Sequence, residues 1–370
     1  MQIIYSGFDT ISFAVKGAAQ PSMLMQLQIY KQRAADNQAD EAISVAEGAL
    51  KGLIAPTGMK GGYAYVLKLG GDLGHVISIK KTLSKHLWNV HVKIRALTLA
   101  CYGWEQALAN VFSDLKTLGV SNHEISLNRV DYAIDFLNAD FVLDPTHFVA
   151  HSHVKKAAHK LEINAYSRGQ ACESVTLGKM PNRQVIVYDK RREAIEKRKP
   201  VWFEIWNIDP KNISQTVHRV EIRLGKNELL KSKIRTLEDL KDRVNSAMVH
   251  AVQVIRYVTP RKSDQNISRW PNHKLWDAVQ LHVKDHLLKN LNYVEPSRIK
   301  QVIKSQKALE SKKQILGNMA NLSVFEEMVP DRVKEDMVKF IMDEFSIIEA
   351  NDDHPFWKSR IKTQDRFSFL

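Results

Sequence analysis

Only two cysteines, Cys101 and Cys172, occur in 370 residues, and no CxxC spacing joins them. A disulfide framework is thereby excluded and a cysteine-based zinc site disfavoured, so the expected compartment is a reducing cytoplasm. No apolar run reaches the length that spans a bilayer. No charged segment leading into an apolar stretch and a small-residue cleavage site stands at the N-terminus, so neither a secretory signal nor a membrane partner is expected. Also missing are the GxxxxGKS/T loop, the GxSxG elbow and a dinucleotide fingerprint. ATP-driven unwinding, elbow-type hydrolysis and dinucleotide chemistry lose their usual sequence support.

What is abundant is positive charge. Lys and Arg number 54 against 41 Asp and Glu, a formal balance of +13, which attracts polyanions and nucleic acid first among them. A hydrophobic fraction of 44% with 26% charged residues fits a folded globular chain long enough for two domains.

Along the chain, "IIYSGFDTISFAV" reads as extended, and the stretch from Ser22 to Leu50 carries helical spacing. Short strands are expected in "GGYAYVLKLGGDLGHVISI" and "LWNVHVKIRALTL". In the latter His91, Lys93 and Arg95 share one face, a basic one. Trp104, Ala107, Leu108, Val111, Phe112, Leu115 and Leu118 mark a helix that Gly119 stops. Asp144 and Pro145 predict the start of another. Further strands are expected in "EISLNRVDYAIDF", "ESVTLG", "RQVIVYD" and "HRVEIRL", and amphipathic helices beyond Leu229. The expectation is an α+β fold: a mixed or antiparallel sheet layer packed with helices over residues 1–229, then an all-helical region over 230–370. That second region would supply duplex-DNA or dimer contacts, with Lys300, Lys304 and Lys307 on one side.

Strand alternation places the chemistry. In "NRVDYAIDF", Val130, Tyr132, Ile134 and Phe136 face one way, and Arg129, Asp131, Ala133 and Asp135 the other. The two aspartates, read as roughly 7 Å apart, would frame a divalent cation. Glu221 in "HRVEIRL" adds a third carboxylate between Arg219 and Arg223, and hard oxygen ligands suit Mg²⁺ or Mn²⁺. In "RQVIVYDK" the same rule sends Gln184, Ile186, Tyr188 and Lys190 to one side. A phenol is a weak nucleophile because its pKa is near 10, so a cation and a polarised phosphate beside it are what it needs. Each feature also has a plain structural explanation: an aspartate paired with Arg129, a half-buried tyrosine, a solvated helix face from Lys190 to Lys199. His151 and His153 of "HSHV" fall on an expected helix, where i and i+2 diverge, and His147 with His151 lacks the HExxH glutamate.

Taken in order, "RVDYAIDF", "VTLGK", "RQVIVYDKRREAIEK" and "HRVEIRL", with "GFDTISF" at the start, resemble the replication initiation factor family of rolling-circle plasmids and filamentous phages. The resemblance spans about Gly7 to Leu230. It implies an enzyme of a bacterial host cytoplasm that nicks one strand of origin DNA, stays joined to the 5′ phosphate through a tyrosine, and later rejoins the ends. On this chain it implies Tyr188 as nucleophile, with Lys190, Glu193 and Arg219 as neighbours, and Asp131, Asp135 and Glu221 as ligands for Mg²⁺ or Mn²⁺. Tyr166 is a competitor for the nucleophile. DNA contacts are expected from His91, Lys93, Arg95, Arg191, Arg192, Lys197, Arg198 and Lys199. Origin DNA, a borrowed host helicase and a second copy of the chain are the implied partners. A conjugative relaxase would use the same chemistry, and a non-catalytic DNA-binding regulator would keep only the fold.

Overall fold

The computed structural model describes residues 1–120, 124–138, 142–150, 163–168, 171–261, 263–289 and 294–367. They form two compact units, Met1–Pro296 and Ser297–Leu370. In chain order the first unit contains β1 (Gln2–Lys16), α1 (Pro21–Asp36), β2 (Glu41–Val45), β3 (Leu50–Ile54), β4 (Tyr63–Leu69), β5 (His75–Lys80), β6 (Trp88–Ile94) and α2 (Ala96–Thr117). It continues with β7 (Glu124–Leu137), β8 (Phe148–Ala150), β9 (Ile163–Arg168), β10 (Ala171–Gly178), β11 (Arg183–Asp189), α3 (Lys190–Glu196) and α4 (Val201–Trp206). Then come β12 (Val217–Gly225), α5 (Lys226–Lys231), α6 (Leu237–Val254), β13 (Ile255–Tyr257) and α7 (Lys274–His286). Helices α8 (Pro296–Phe325), α9 (Val333–Glu349) and α10 (Pro355–Arg366) make up the rest.

Eleven strands pair in the order β2-β3-β4-β5-β6-β1-β7-β12-β11-β10-β9, every pair antiparallel. The class is α+β, with a helical C-terminal region. Consecutive strands at both ends of the sheet, β2 to β6 and β9 to β12, are antiparallel neighbours as short connections require, while β1 and β7 pair between them with strands distant in sequence. One face of the sheet is apolar: Phe13, Val92, Tyr132, Ile134, Val220 and Ile222 are buried there in one core with Leu108 and Val111 of α2. The other face carries the polar alternates, Arg129, Asp131, Asp135, Arg219 and Glu221 among them.

Several expectations change. The boundary between units falls at 296/297 rather than 229/230. Leu240, Val244 and Met248 of α6 and Leu275, Trp276 and Val279 of α7 belong to the core that covers the sheet, and the Tyr132 hydroxyl meets His282 Nε2 at 3.3 Å. The helix from Ser22 stops at Asp36. Gln38 has φ 49°, and Glu41–Val45 then turns through Ala46 and Glu47, both at positive φ, into β3. Helix α2 starts at Ala96, where a strand was expected to continue, and Gly103 interrupts it with φ 69° and ψ 172°. That break is why the regular spacing begins at Trp104. The helix expected from Asp144 is a single 3-10 turn, Pro145–His147, followed by β8. His151 and His153 lie outside the described residues. Among the described residues, no helix is long and apolar enough to cross a membrane.

Candidate active site

Strand β11 ends because Asp189 caps the next helix, its carboxylate accepting from the Arg192 backbone N–H at 2.9 Å. Tyr188 is thus the last side chain on the polar face before the chain turns, and Lys190 the first residue of α3. The register sets Tyr188 opposite Arg219, Ile186 opposite Glu221 and Arg219 opposite Asp135. Phenol and carboxylates therefore share one face of adjacent strands. The Tyr188 hydroxyl donates to Glu221 Oε2 at 3.4 Å.

Three carboxylates converge beside it. Oxygens of Asp9, Asp131 and Glu221 all lie within 4.8 Å of one another, on β1, β7 and β12, which are neighbours in the sheet. Asp9 was not among the residues singled out from the sequence. The pairing of β1 with β7 shifts between Phe8 and Thr10, leaving Asp9 as an extra residue in a β-bulge, and bulges re-aim side chains next to sites. The available signal was the "GFDT" segment itself, which holds the lone acid of the strand.

Asp135 does not join them. Four residues of strand separate it from Asp131, about 13 Å by strand rise rather than 7 Å. Its carboxylate is fully taken: Arg219 Nε donates to Oδ1 at 2.6 Å, Arg219 Nη2 to Oδ2 at 2.7 Å, and the Trp206 indole N–H to Oδ2 at 2.7 Å. Arg219 reaches Asp9 Oδ1 at 2.8 Å with Nη1 and stacks on Trp202, its guanidinium carbon 4.3 Å from the ring centroid. It is therefore the bridge between the closed pair at Asp135 and the open trio. Burial works against its charge, but Asp135, Tyr188 and Asp9 outweigh burial and hold it ionised.

The trio has its own cations. Arg129 Nε donates to both Asp131 oxygens at 2.8 Å, and Arg223 Nε to Glu221 Oε1 at 2.7 Å. Burial first, then the Glu221 charge against the help of Arg129, pushes the Asp131 carboxyl up to about 6. Asp9 is raised by burial and by Glu221, against Arg219. A carboxylate group that resists ionisation because of burial and like charge is relieved by a dication, and all-oxygen donors suit Mg²⁺ or Mn²⁺. The residues fit such an ion.

Lys190 is buried, ion-paired with Glu193, with its ammonium 5.6 Å from the Tyr188 ring centroid and 4.7 Å from that of Trp202. Burial and Arg219 lower it to about 8. Burial first raises the Tyr188 phenol well above 10, with Arg219 opposing and Glu221, Asp9 and Glu193 adding to the rise. The phenol is therefore neutral at physiological pH, with the Glu221 carboxylate in hydrogen-bond reach of its hydroxyl.

The expected DNA contacts are scattered. Arg191 donates to the Pro210 and Asn212 carbonyls, Arg192 pairs with Glu173 at 2.6 Å, and Lys197 and Lys199 reach Glu193 at 2.9 and 3.3 Å. Arg198 follows α3 at φ 50°. Arg191, Arg192, Lys197 and Lys199 therefore have partners within the protein. On β6, Lys93 is exposed, His91 packs on Tyr63 at 5.9 Å between rings, and Arg95 precedes α2. The register with β1 keeps His91 and Lys93 on the polar face.

No family model matches the chain, and no curated protein matches it. Among solved structures it is similar to a rolling circle replication initiator protein from Geobacillus stearothermophilus. That similarity covers 76% of this chain and 97% of the other at 15% identity, with a TM-score of 0.40.

Proposed function

We propose that the chain is a replication initiator that nicks and rejoins single-stranded origin DNA through Tyr188. The observation that carries this reading is the Tyr188 hydroxyl donating to Glu221, one of three carboxylates whose oxygens cluster within 4.8 Å. The motif order along the sequence supports it independently.

In this reading the Tyr188 oxygen attacks the scissile phosphorus and its proton passes to Glu221. The bond from phosphorus to the 3′ oxygen breaks, the alkoxide takes a proton from water, and the 5′ phosphate remains on the tyrosine. Asp9, Asp131 and Glu221 would hold Mg²⁺ or Mn²⁺, which supplies charge stabilisation to phosphoryl oxygens when bound. Arg219 fixes Asp9 and is itself fixed by Asp135 and the Trp202 ring, so the trio's geometry is set before substrate arrives. Lys190 places a cation beside the phenol. Strand separation would come from a partner helicase, in keeping with the missing P-loop.

The test uses supercoiled DNA of the replicon that carries this coding sequence, with Mg²⁺ or Mn²⁺. The expected products are a nicked circle and a covalent protein–DNA band, both lost in Tyr188→Phe. Retained DNA binding without any adduct from the unaltered protein would favour a non-catalytic regulator instead.

A further inference from the structure

The register of the outer strands aligns Tyr166 on β9 with Ser174 on β10, and Ser174 with Tyr188 on β11. Residues paired across antiparallel strands share a face, so Tyr166 stands on the same face as the phenol of Tyr188. Two strand spacings separate them, about 10 Å. Tyr166 is 58% exposed, whereas Tyr5, at the other end of the same row, is 2% exposed. The floor between the two outer tyrosines is made of small or apolar side chains, Ser174, Thr176 and Ile186, with Thr176 opposite Ile186. An exposed aromatic ring carries no charge with which to hold a phosphate. It is well suited to a nucleobase, because every base has a π-face and stacking needs no charge.

We infer that Tyr166 is a stacking platform for a base of the single-stranded DNA that flanks the scissile phosphate, lying over Ser174 and Thr176. The inference rests on the proposed nicking function for its biological meaning, but its chemistry is binding. The ring, not the hydroxyl, is the working part. Tyr166 is then a substrate-binding residue and Tyr188 alone the nucleophile.

The experiment measures binding of a fluorescein-labelled mixed-sequence single-stranded 12-mer to the full chain with EDTA present, so that no cleavage intervenes. Tyr166→Ala should weaken binding on the order of 10-fold, while Tyr166→Phe, which keeps the ring, restores most of it. Thermal melts of both variants establish that they fold; an exposed side chain predicts little change in Tm. In nicking assays Tyr166→Ala should raise KM more than it lowers kcat. Unchanged binding in Tyr166→Ala would overturn the inference. So would a Tyr166→Phe variant as weak as Tyr166→Ala, which would assign the role to the hydroxyl. Loss of the covalent adduct in Tyr166→Phe but not in Tyr188→Phe would overturn both this inference and the assignment of the nucleophile. Failure of Tyr188→Phe alone, with oligonucleotide binding behaving as expected, would leave the platform standing and remove only the nucleophile.

Discussion

Strand β7 carries two buried aspartates on one face, and they are built for different things. Asp135 accepts three hydrogen bonds, two from a bidentate guanidinium and one from an indole N–H. Asp131 is equally buried, yet it stands next to two more carboxylates and is pushed up to about 6. A carboxylate enclosed by its partners is structural. One crowded by other carboxylates resists ionisation and would be relieved by a cation. Glu193, a few residues past the phenol, shows the opposite extreme: burial opposes its charge, but Lys190, Lys197 and Lys199 hold its carboxyl down at about 2.

The largest expected effect separates chemistry from scaffold. Tyr188→Phe should abolish covalent adduct altogether while the thermal melt stays close to that of the unaltered protein. Next, Asp135→Ala strands a buried Arg219 and should cost about 3–5 kcal/mol in urea unfolding. Asp131→Asn should cost about 1 kcal/mol or less, because its partner Arg129 is partly solvated. Equal losses from the two substitutions would erase the distinction between the closed and open aspartates.

A third prediction addresses the ion. Mn²⁺ at 100 times its Kd should stabilise the protein by about 2.7 kcal/mol. Asp9→Asn should remove most of that gain without a matching loss of stability in EDTA. A metal-induced shift that survives Asp9→Asn but disappears in Asp135→Asn would restore Asp135 as ligand and displace Asp9.

The last effect concerns acid. Because the folded Glu193 carboxyl titrates below its ordinary value of 4.5, its contribution to stability is present above that pH and is lost as pH falls toward about 2. On the order of 2–3 kcal/mol is at stake as an upper bound, and Glu193→Gln should flatten the stability curve across that window. An unchanged acid limb would mean that the three lysines contribute little there.

Alternation along strands made much of this site legible. It assigned Asp131, Glu221, Arg219 and Tyr188 to polar faces, and the motif order brought those strands together. The separation along β7 was legible as well: four residues at strand rise make about 13 Å, and reading it as 7 Å is how Asp135 came to be grouped with Asp131. What alternation cannot register is an inserted residue: Asp9 enters the trio only because a bulge re-aims it, and a bulge depends on how β1 pairs with β7 rather than on either strand alone. Trp202 and Trp206 were missed for a related reason, since a "VWFEIW" helix reads as core until Arg219 and Asp135 are seen to lie beneath it. Within the fold, β2 was absorbed into a helical reading because Ala, Gln and Glu dominate the approach to it, and its tertiary pairing with β3 overrode that local preference.

The most direct measurement is to isolate the covalent protein–DNA adduct formed with Mg²⁺ or Mn²⁺, digest it with trypsin and nuclease, and map the nucleotide-bearing peptide by mass spectrometry. The residual nucleotide should sit on Tyr188. Finding it on Tyr166, or on any other residue, would contradict the convergence of phenol and carboxylate trio on one phosphate.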